Sequence, residues 1–177
     1  IFTLIVLSGL GALSLSIFLS SILEMSVFFN KSYALMQLSI SLYLITTAFF
    51  QIIAGPLSDK FGRRIITLFS IMIFIIASLG CFFSTKFEFF IFFRLLQASI
   101  AAGFLMSRVI IRDITSENEA ASMIGYVTMG MSIIPLFAPG LGGLIQMLLG
   151  WPSIFLIMSL LGLLLLLLVF RDLGETK

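Results

Sequence analysis

Apolar positions run almost unbroken along this chain, and short polar links interrupt them at intervals of about 20 residues, the length of helix that crosses a hydrocarbon core. Six spans follow from that spacing: 1–23, 34–54, 65–84, 89–110, 120–149 and 152–170. Between the first two lies a link with Glu24, Asn30 and Lys31. Then come GPLSDKFGRR (55–64), TKFE, RDITSENE and a tight Gly150-Trp151-Pro152 turn. The runs are continuously apolar and too long for barrel strands, which alternate apolar and polar over about ten residues. The expected fold class is therefore an all-α integral membrane protein, a single six-transmembrane-helix bundle.

Composition agrees, with 60% hydrophobic and 10% charged residues and a mean hydropathy of +1.25. A net charge of +2 with its basic residues at span ends gives no footprint for nucleic acid. Histidine is absent, and there is neither a cysteine cluster nor a pair of intramembrane carboxylates. Enzyme chemistry, a metal site and a bound cofactor are not expected. The lone Cys81 reads as a small core residue. The chain opens on Ile1, already inside an apolar run, which reads as a truncated or split form of something longer.

Basic residues at the span ends give an orientation. The side holding GPLSDKFGRR, the fourth link and the C-terminal tail carries Lys60, Arg63, Arg64, Arg108, Arg112, Arg171 and Lys177, against Lys31 and Lys86 on the other. That side is expected to be cytoplasmic, with both ends of the chain on it. Trp151 then falls at the outer interface.

Three stretches carry candidate chemistry. In GPLSDKFGRR, Gly55 and Gly62 permit close backbone approach or positive φ, Pro56 opposes continuation of the second helix, and Asp59 can accept from a helix N-terminus or pair with a neighbouring arginine. An ordinary positive-inside loop is the plainer alternative. Arg94 falls about six residues into the fourth span, where a cation is expensive unless it snorkels or lines a polar cavity; Gln97 shares its face. In the fifth span, PLFAPGLGG (135–143) concentrates Pro135, Pro139, Gly140, Gly142 and Gly143, which fits either close helix packing or a hinge. Ser16, Gln37 and Ser41 are weaker polar candidates that ordinary helix packing also explains, and Glu24 reads as a solvated link residue.

The order of residues in GPLSDKFGRR resembles the loop signature between the second and third helices of the major facilitator superfamily, with Gly55, Asp59, Lys60, Gly62, Arg63 and Arg64 all filled. RLLQASIAAG is similar to that family's fourth-helix signature, with Ala98 in place of the usual Gly, and PLFAPGLGG to the fifth-helix signature of its drug and proton antiporters. MQLSISLYL, SRVIIRD and GWPSIFLI look like the bicyclomycin-resistance (Bcr/CflA) branch.

The resemblance covers nearly the whole chain but only the N-terminal half of such a transporter. It implies two inverted three-helix repeats, and spans 2 and 5 do share Gly and Pro near their later ends. It further implies a proton gradient rather than a cofactor as energy source, export of a small amphipathic drug-like substrate, an inner-membrane location, and a missing C-terminal six-helix half supplied in cis or in trans. Asp59 and Arg63 would be the gating pair, with Arg112 and Asp113 their nearest partners, Arg94 and Gln97 would line the cavity, and the fifth-span residues would hinge. One departure concerns the first span: the branch carries an Asp at about Ser16 and prolines near Ser20 and Leu23, and this chain has none of them. The loss removes the expected counter-ion of Arg94, for which Glu24 would substitute only if the first helix ran longer. The alternative class is a non-transporting remnant, or a scaffold or partner subunit.

Overall fold

A computed structural model describes residues 2–174, apart from the side chains of Glu117 and Asn118; Lys177 lies outside it. The described residues form eight α-helices: α1 (Phe2–Ser16), α2 (Ile22–Phe28), α3 (Tyr33–Phe61), α4 (Arg63–Phe83), α5 (Phe87–Gln97), α6 (Ile100–Ile114), α7 (Glu117–Leu149) and α8 (Pro152–Asp172). Taken with the short 3₁₀ turn Leu19–Ser21, α1 and α2 make one span, and α5 and α6 another. Six helical segments are thus long and apolar enough to cross a membrane.

The helix ends depart from the sequence reading in ways that matter for the site. The first span continues to Phe28 instead of stopping near Leu23, because Ile22, Met25 and Phe29 pack with Phe90, Trp151 and Phe155 in an apolar cluster at one end of the bundle. Its stop is Asn30, the one non-glycine residue at positive φ (50°) among those described. The Lys31 N–H reaches back to the Ser26 carbonyl at 3.0 Å, the capping pattern such a residue permits. Glu24 therefore belongs to the span, not to the link. Likewise Pro56 does not end the second span: α3 runs on through it to Phe61, and Gly62, at φ 95°, makes the turn. Gly55 has neither positive φ nor a close neighbour. Trp151 sits at the same end, packed inside the aromatic cluster with Phe28 and Phe29.

Two spans break inside runs that the hydropathy pattern treats as continuous helix. α1 ends at Ser16 and the chain tightens through the 3₁₀ turn before α2. The fourth span tightens over residues 98–99, where the N–H groups of Ala98 and Ser99 bond back to Leu95 and Leu96, three residues earlier. By contrast, α7 runs unbroken through Pro135 and Pro139.

Spans 1 and 4 are the most buried and spans 2 and 5 the least. Along the bundle the core forms three patches, one central, around Leu7, Ile71, Phe74 and Ile100, one around Trp151 and one around Met106, Ile110 and Val127. Span 5 meets span 1 at the first-span break. A Cβ on Gly142 would lie 1.8 Å from the Ile17 carbonyl oxygen, so this contact is backbone against backbone, and only glycine admits it. Around Gly140 nothing lies within 4 Å. Gly142→Ala should thus cost at least the roughly 1–3 kcal/mol typical of overpacking and lower the unfolding temperature of the purified protein, while Gly140→Ala leaves it nearly unchanged. Equal melting curves for the two variants would remove the close-approach argument.

Candidate functional site

Arg94 is 1% exposed and does not snorkel. Its position on α5 brings it against the broken first span, and the break provides its partner. The last carbonyls of an α-helix lack intrahelical donors; Leu13 finds one in the Ile17 N–H at 2.9 Å, and the Ser14 carbonyl accepts from Arg94 Nη2 at 2.8 Å. The cation also stands at the negative end of the α1 dipole, which favours it. Nη1 donates to Ser14 Oγ at 3.4 Å and to Gln97 Oε1. Above and below the guanidinium plane lie the rings of Phe18 at 4.1 Å and Tyr43 at 4.2 Å, a cation-π sandwich.

The polar chain extends beyond the arginine. Tyr43 donates to Ser14 Oγ at 3.3 Å, and Gln97 Nε2 donates to Ser78 Oγ at 2.8 Å. Arg94 makes no ion pair among the described residues, and its Nε has no partner among them. Backbone dipole and aromatic quadrupoles stand where a carboxylate was the expected counter-ion. Ser16 stays out of this: its hydroxyl turns back to the Ala12 carbonyl at 3.1 Å.

Beside Tyr43 opens a cavity of about 160 Å³ between spans 1, 2, 4 and 5, lined among others by Ser8, Gly11, Thr47, Gln51, Ala101 and Met131. Thr47 Oγ1 has no partner among the described residues. Gln37 and Ser41 are exposed on α3 and line none of this cavity. The residues that sequence reasoning missed are Ser14, Phe18, Tyr43, Thr47, Gln51 and Ser78. Only the serine-rich run from Ser14 to Ser21, unusual inside an apolar helix, signalled that part of this wall was polar.

At the other end of the bundle, GPLSDKFGRR lies almost wholly on helix, with Gly62 as its single hinge residue. That turn sets Arg63 at the head of α4, close to two acids. Arg63 pairs with Asp59 at 2.5 Å and with Asp113 at 3.3 Å, and also donates to Ser58 Oγ. Each charge sits at a helix end whose dipole disfavours it: Asp59 and Asp113 close α3 and α6, and Arg63 opens α4. The three therefore depend on one another. Arg112 is exposed and beside Thr115 and Ala120, outside the trio. Lys60 lies over the Phe61 ring at 5.3 Å. Arg64 donates to the Phe170 carbonyl at 2.9 Å, a cation on the C-terminal turn of α8. In the fifth span, Gly142 and Gly143 pack on the Ile17–Ser20 stretch, while the two prolines leave the helix unbroken.

Comparison with known proteins bears on this arrangement. The model of the Major Facilitator Superfamily matches residues 2–177. An uncharacterised MFS-type transporter of Bacillus subtilis, YdgK, is 34% identical over 99% of this chain and 44% of its own length. A chloramphenicol resistance protein of Pseudomonas aeruginosa is 31% identical over 85% of the chain and 36% of its own; the multidrug resistance protein MdtL of Shewanella oneidensis is 34% identical over 83% and 37%. Among solved structures, the proton:xylose symporter XylE aligns with a TM-score of 0.81 at 16% identity, over 99% of this chain and 45% of that one. At that identity the likeness speaks for the fold alone, and it is the six-helix half expected from the sequence. The chain spans less than half the length of these relatives. With the family model matched over residues 2–177, this chain belongs to the Major Facilitator Superfamily.

Proposed function

We propose that the chain is the N-terminal half of a secondary active exporter of the bicyclomycin-resistance type, moving small amphipathic drug-like compounds out of the cell by alternating access. The observation that carries this reading is the pairing of a fixed, partnered cation beside a mid-bundle cavity with a mutually dependent charge trio at the opposite end. The first recognises a solute; the second holds one conformation. In this reading the bundle lies in the inner membrane with both ends of the chain cytoplasmic, works against a second six-helix half joined in cis or supplied in trans, and draws on a proton gradient with no cofactor. Spans 2 and 5, the least buried, present the face for that half, with Gln37 and Ser41 on it. The relatives' names, chloramphenicol and multidrug resistance, support the substrate class.

Substrate contact falls to the wall of Tyr43, Thr47 and Gln51, backed by Arg94 and Gln97. Thr47 and Gln51 supply hydrogen bonds, and the apolar lining accepts a variety of shapes. The trio Asp59–Arg63–Asp113 joins α3, α4 and α6 and is the cytoplasmic gate. Pro135, Pro139 and Gly140, away from the tight contact at Gly142, are where α7 would flex.

Two measurements test the two ends separately. In the full-length transporter, Asp59→Asn should lower drug efflux by up to about fivefold, as expected for losing about 1 kcal/mol in an exposed pair, while the amount of protein in the membrane stays the same. Wild-type efflux in that variant removes the gating role, and loss of efflux together with loss of inserted protein makes Asp59 a folding residue.

At the cavity, Arg94→Lys keeps the charge but has no planar fork to fill the slot between Phe18 and Tyr43 or to reach Ser14 and Gln97 at once. Efflux should fall at least about tenfold, the scale of a lost charged hydrogen bond, and wild-type resistance in cells expressing that variant would show that charge alone suffices.

A further inference from the structure

Two aromatic side chains line the cavity, Tyr43 on the second span and Phe104 on the fourth. Each already has a cation on it. The Arg94 guanidinium lies over the Tyr43 ring at 4.2 Å, and that of Arg108 lies over the Phe104 ring at 4.4 Å. Arg108 stands one helical turn beyond Phe104 on α6, towards the end that holds Gly62. It is half-buried, and its Nε has no partner among the described residues. Neither arginine forms an ion pair among those residues. The cavity is thus bracketed by two cations, one at each of its aromatic walls.

Nothing in the lining offsets them, since every residue lining the cavity is neutral. The acids of the surrounding helices are engaged elsewhere. Asp59 and Asp113 pair with Arg63, Glu88 pairs with Lys31, Glu24 accepts from Gln146, Glu119 from Ser116 and Asp172 from Thr3. Inside an apolar bundle a charge is felt much more strongly than in water. The cavity surface therefore carries a positive field.

We infer that the cavity is a charge filter: it takes uncharged and acidic aromatic solutes and rejects lipophilic cations, through Arg94 and Arg108 laid over its two rings. The inference rests on the reading of this cavity as the solute site. An aromatic ring attracts a cation by the negative potential over its faces. A guanidinium on one face withdraws that attraction from the other, so a cationic solute meets two rings that no longer favour it and two like charges beside them. A neutral solute is spared both effects. It keeps the apolar wall and finds the Thr47 hydroxyl, which has no partner among the described residues, and the Gln51 amide. Those donors and the positive field suit an accepting group such as a carbonyl or a carboxylate. Arg108 becomes a specificity-determining residue, acting on the solute through Phe104.

Three phenylpropyl compounds that differ only in the terminal group, an N-methyl amide, a carboxylate and a trimethylammonium, read the filter. Each is radiolabelled, and its equilibrium binding to the purified full-length transporter is measured with binding to protein-free micelles subtracted. The amide and the carboxylate should each bind at least about tenfold tighter than the ammonium, the scale of one forfeited cation-π contact in a desolvated site. An ammonium that binds as tightly as the amide overturns the filter. So does a carboxylate that binds as weakly as the ammonium, because the cavity would then reject charge of either sign. Arg108→Gln bares the Phe104 ring and should narrow the gap between amide and ammonium, while Thr47→Asp places an acid in the lining and should reverse it. A gap that neither variant moves overturns the assignment to the two arginines, and the wild-type comparison needs neither variant to fold. If none of the three compounds binds, the filter fails. Efflux of the same compounds from cells is scored in parallel. If amide and ammonium bind and leave the cell alike, the filter fails and the exporter reading stands; if binding discriminates while no compound is exported, the filter stands and the exporter reading fails.

Discussion

A guanidinium inside a hydrocarbon slab has to be given partners before the helices around it can settle. Arg94 is the largest fully buried side chain among those described, and a charge left bare there would cost several kcal/mol at least. The bundle meets that demand with backbone. Breaking the first span after Ser16 exposes a carbonyl that a continuous helix would have used, and Arg94 takes it. Gln97, three residues on in the same helix α5, shares the arginine's face, accepts from Arg94 and reaches Ser78 with its amide. The cation is thus surrounded by dipoles and ring faces instead of an acid.

That arrangement has a consequence for packing. At the tightened stretch of span 1, α7 approaches backbone to backbone and needs Gly142 at the contact. The stretch 17–21 is held on one side by Phe18 against Arg94 and on the other by Gly142 and the Ser21–Gln146 bond. There the polar centre, the fifth span and the aromatic cluster around Trp151 meet. A small displacement there changes all three together, because packed interfaces shift between discrete arrangements and do not deform smoothly.

Much of this was legible in the residues and some was not, for physical reasons. The number of spans, the polar links and the importance of Arg94 follow from hydropathy, since a charge in grease has few interpretations. The trio at Asp59, Arg63 and Asp113 was half legible: the signature named its members, but whether Arg112 or Asp113 would turn inward depended on the helical phase of α6, and the sequence pointed to both. Pro56 misled because a proline near the end of a helix removes one hydrogen bond and need not stop the chain, whereas Gly62 at φ 95° does. The first-span break was hidden because serines satisfy themselves within a helix as readily as they end one. Ser16 looked like the position facing Arg94 by depth; the turn at the break moved that role to Ser14.

The two ends of the bundle differ in how firmly they are tied, and the difference bears on how such a half can switch. At the end of the bundle that holds Gly62, Asp59 and Asp113 oppose their helix dipoles and are stabilised by a single arginine that opposes its own. Exposed pairs of this kind contribute about 0–1 kcal/mol, so the trio biases a conformation without locking it. The centre is different in kind: Arg94 has several partners, is fully desolvated, and could not move away from them without leaving a charge in hydrocarbon. A rigid centre between weakly tied ends favours motion of the half as a unit around the arginine, with the end contacts exchanged and the central ones kept. In the exporter proposed above, the cavity would then keep its shape while its access changed, as alternating access about a fixed mid-membrane site requires.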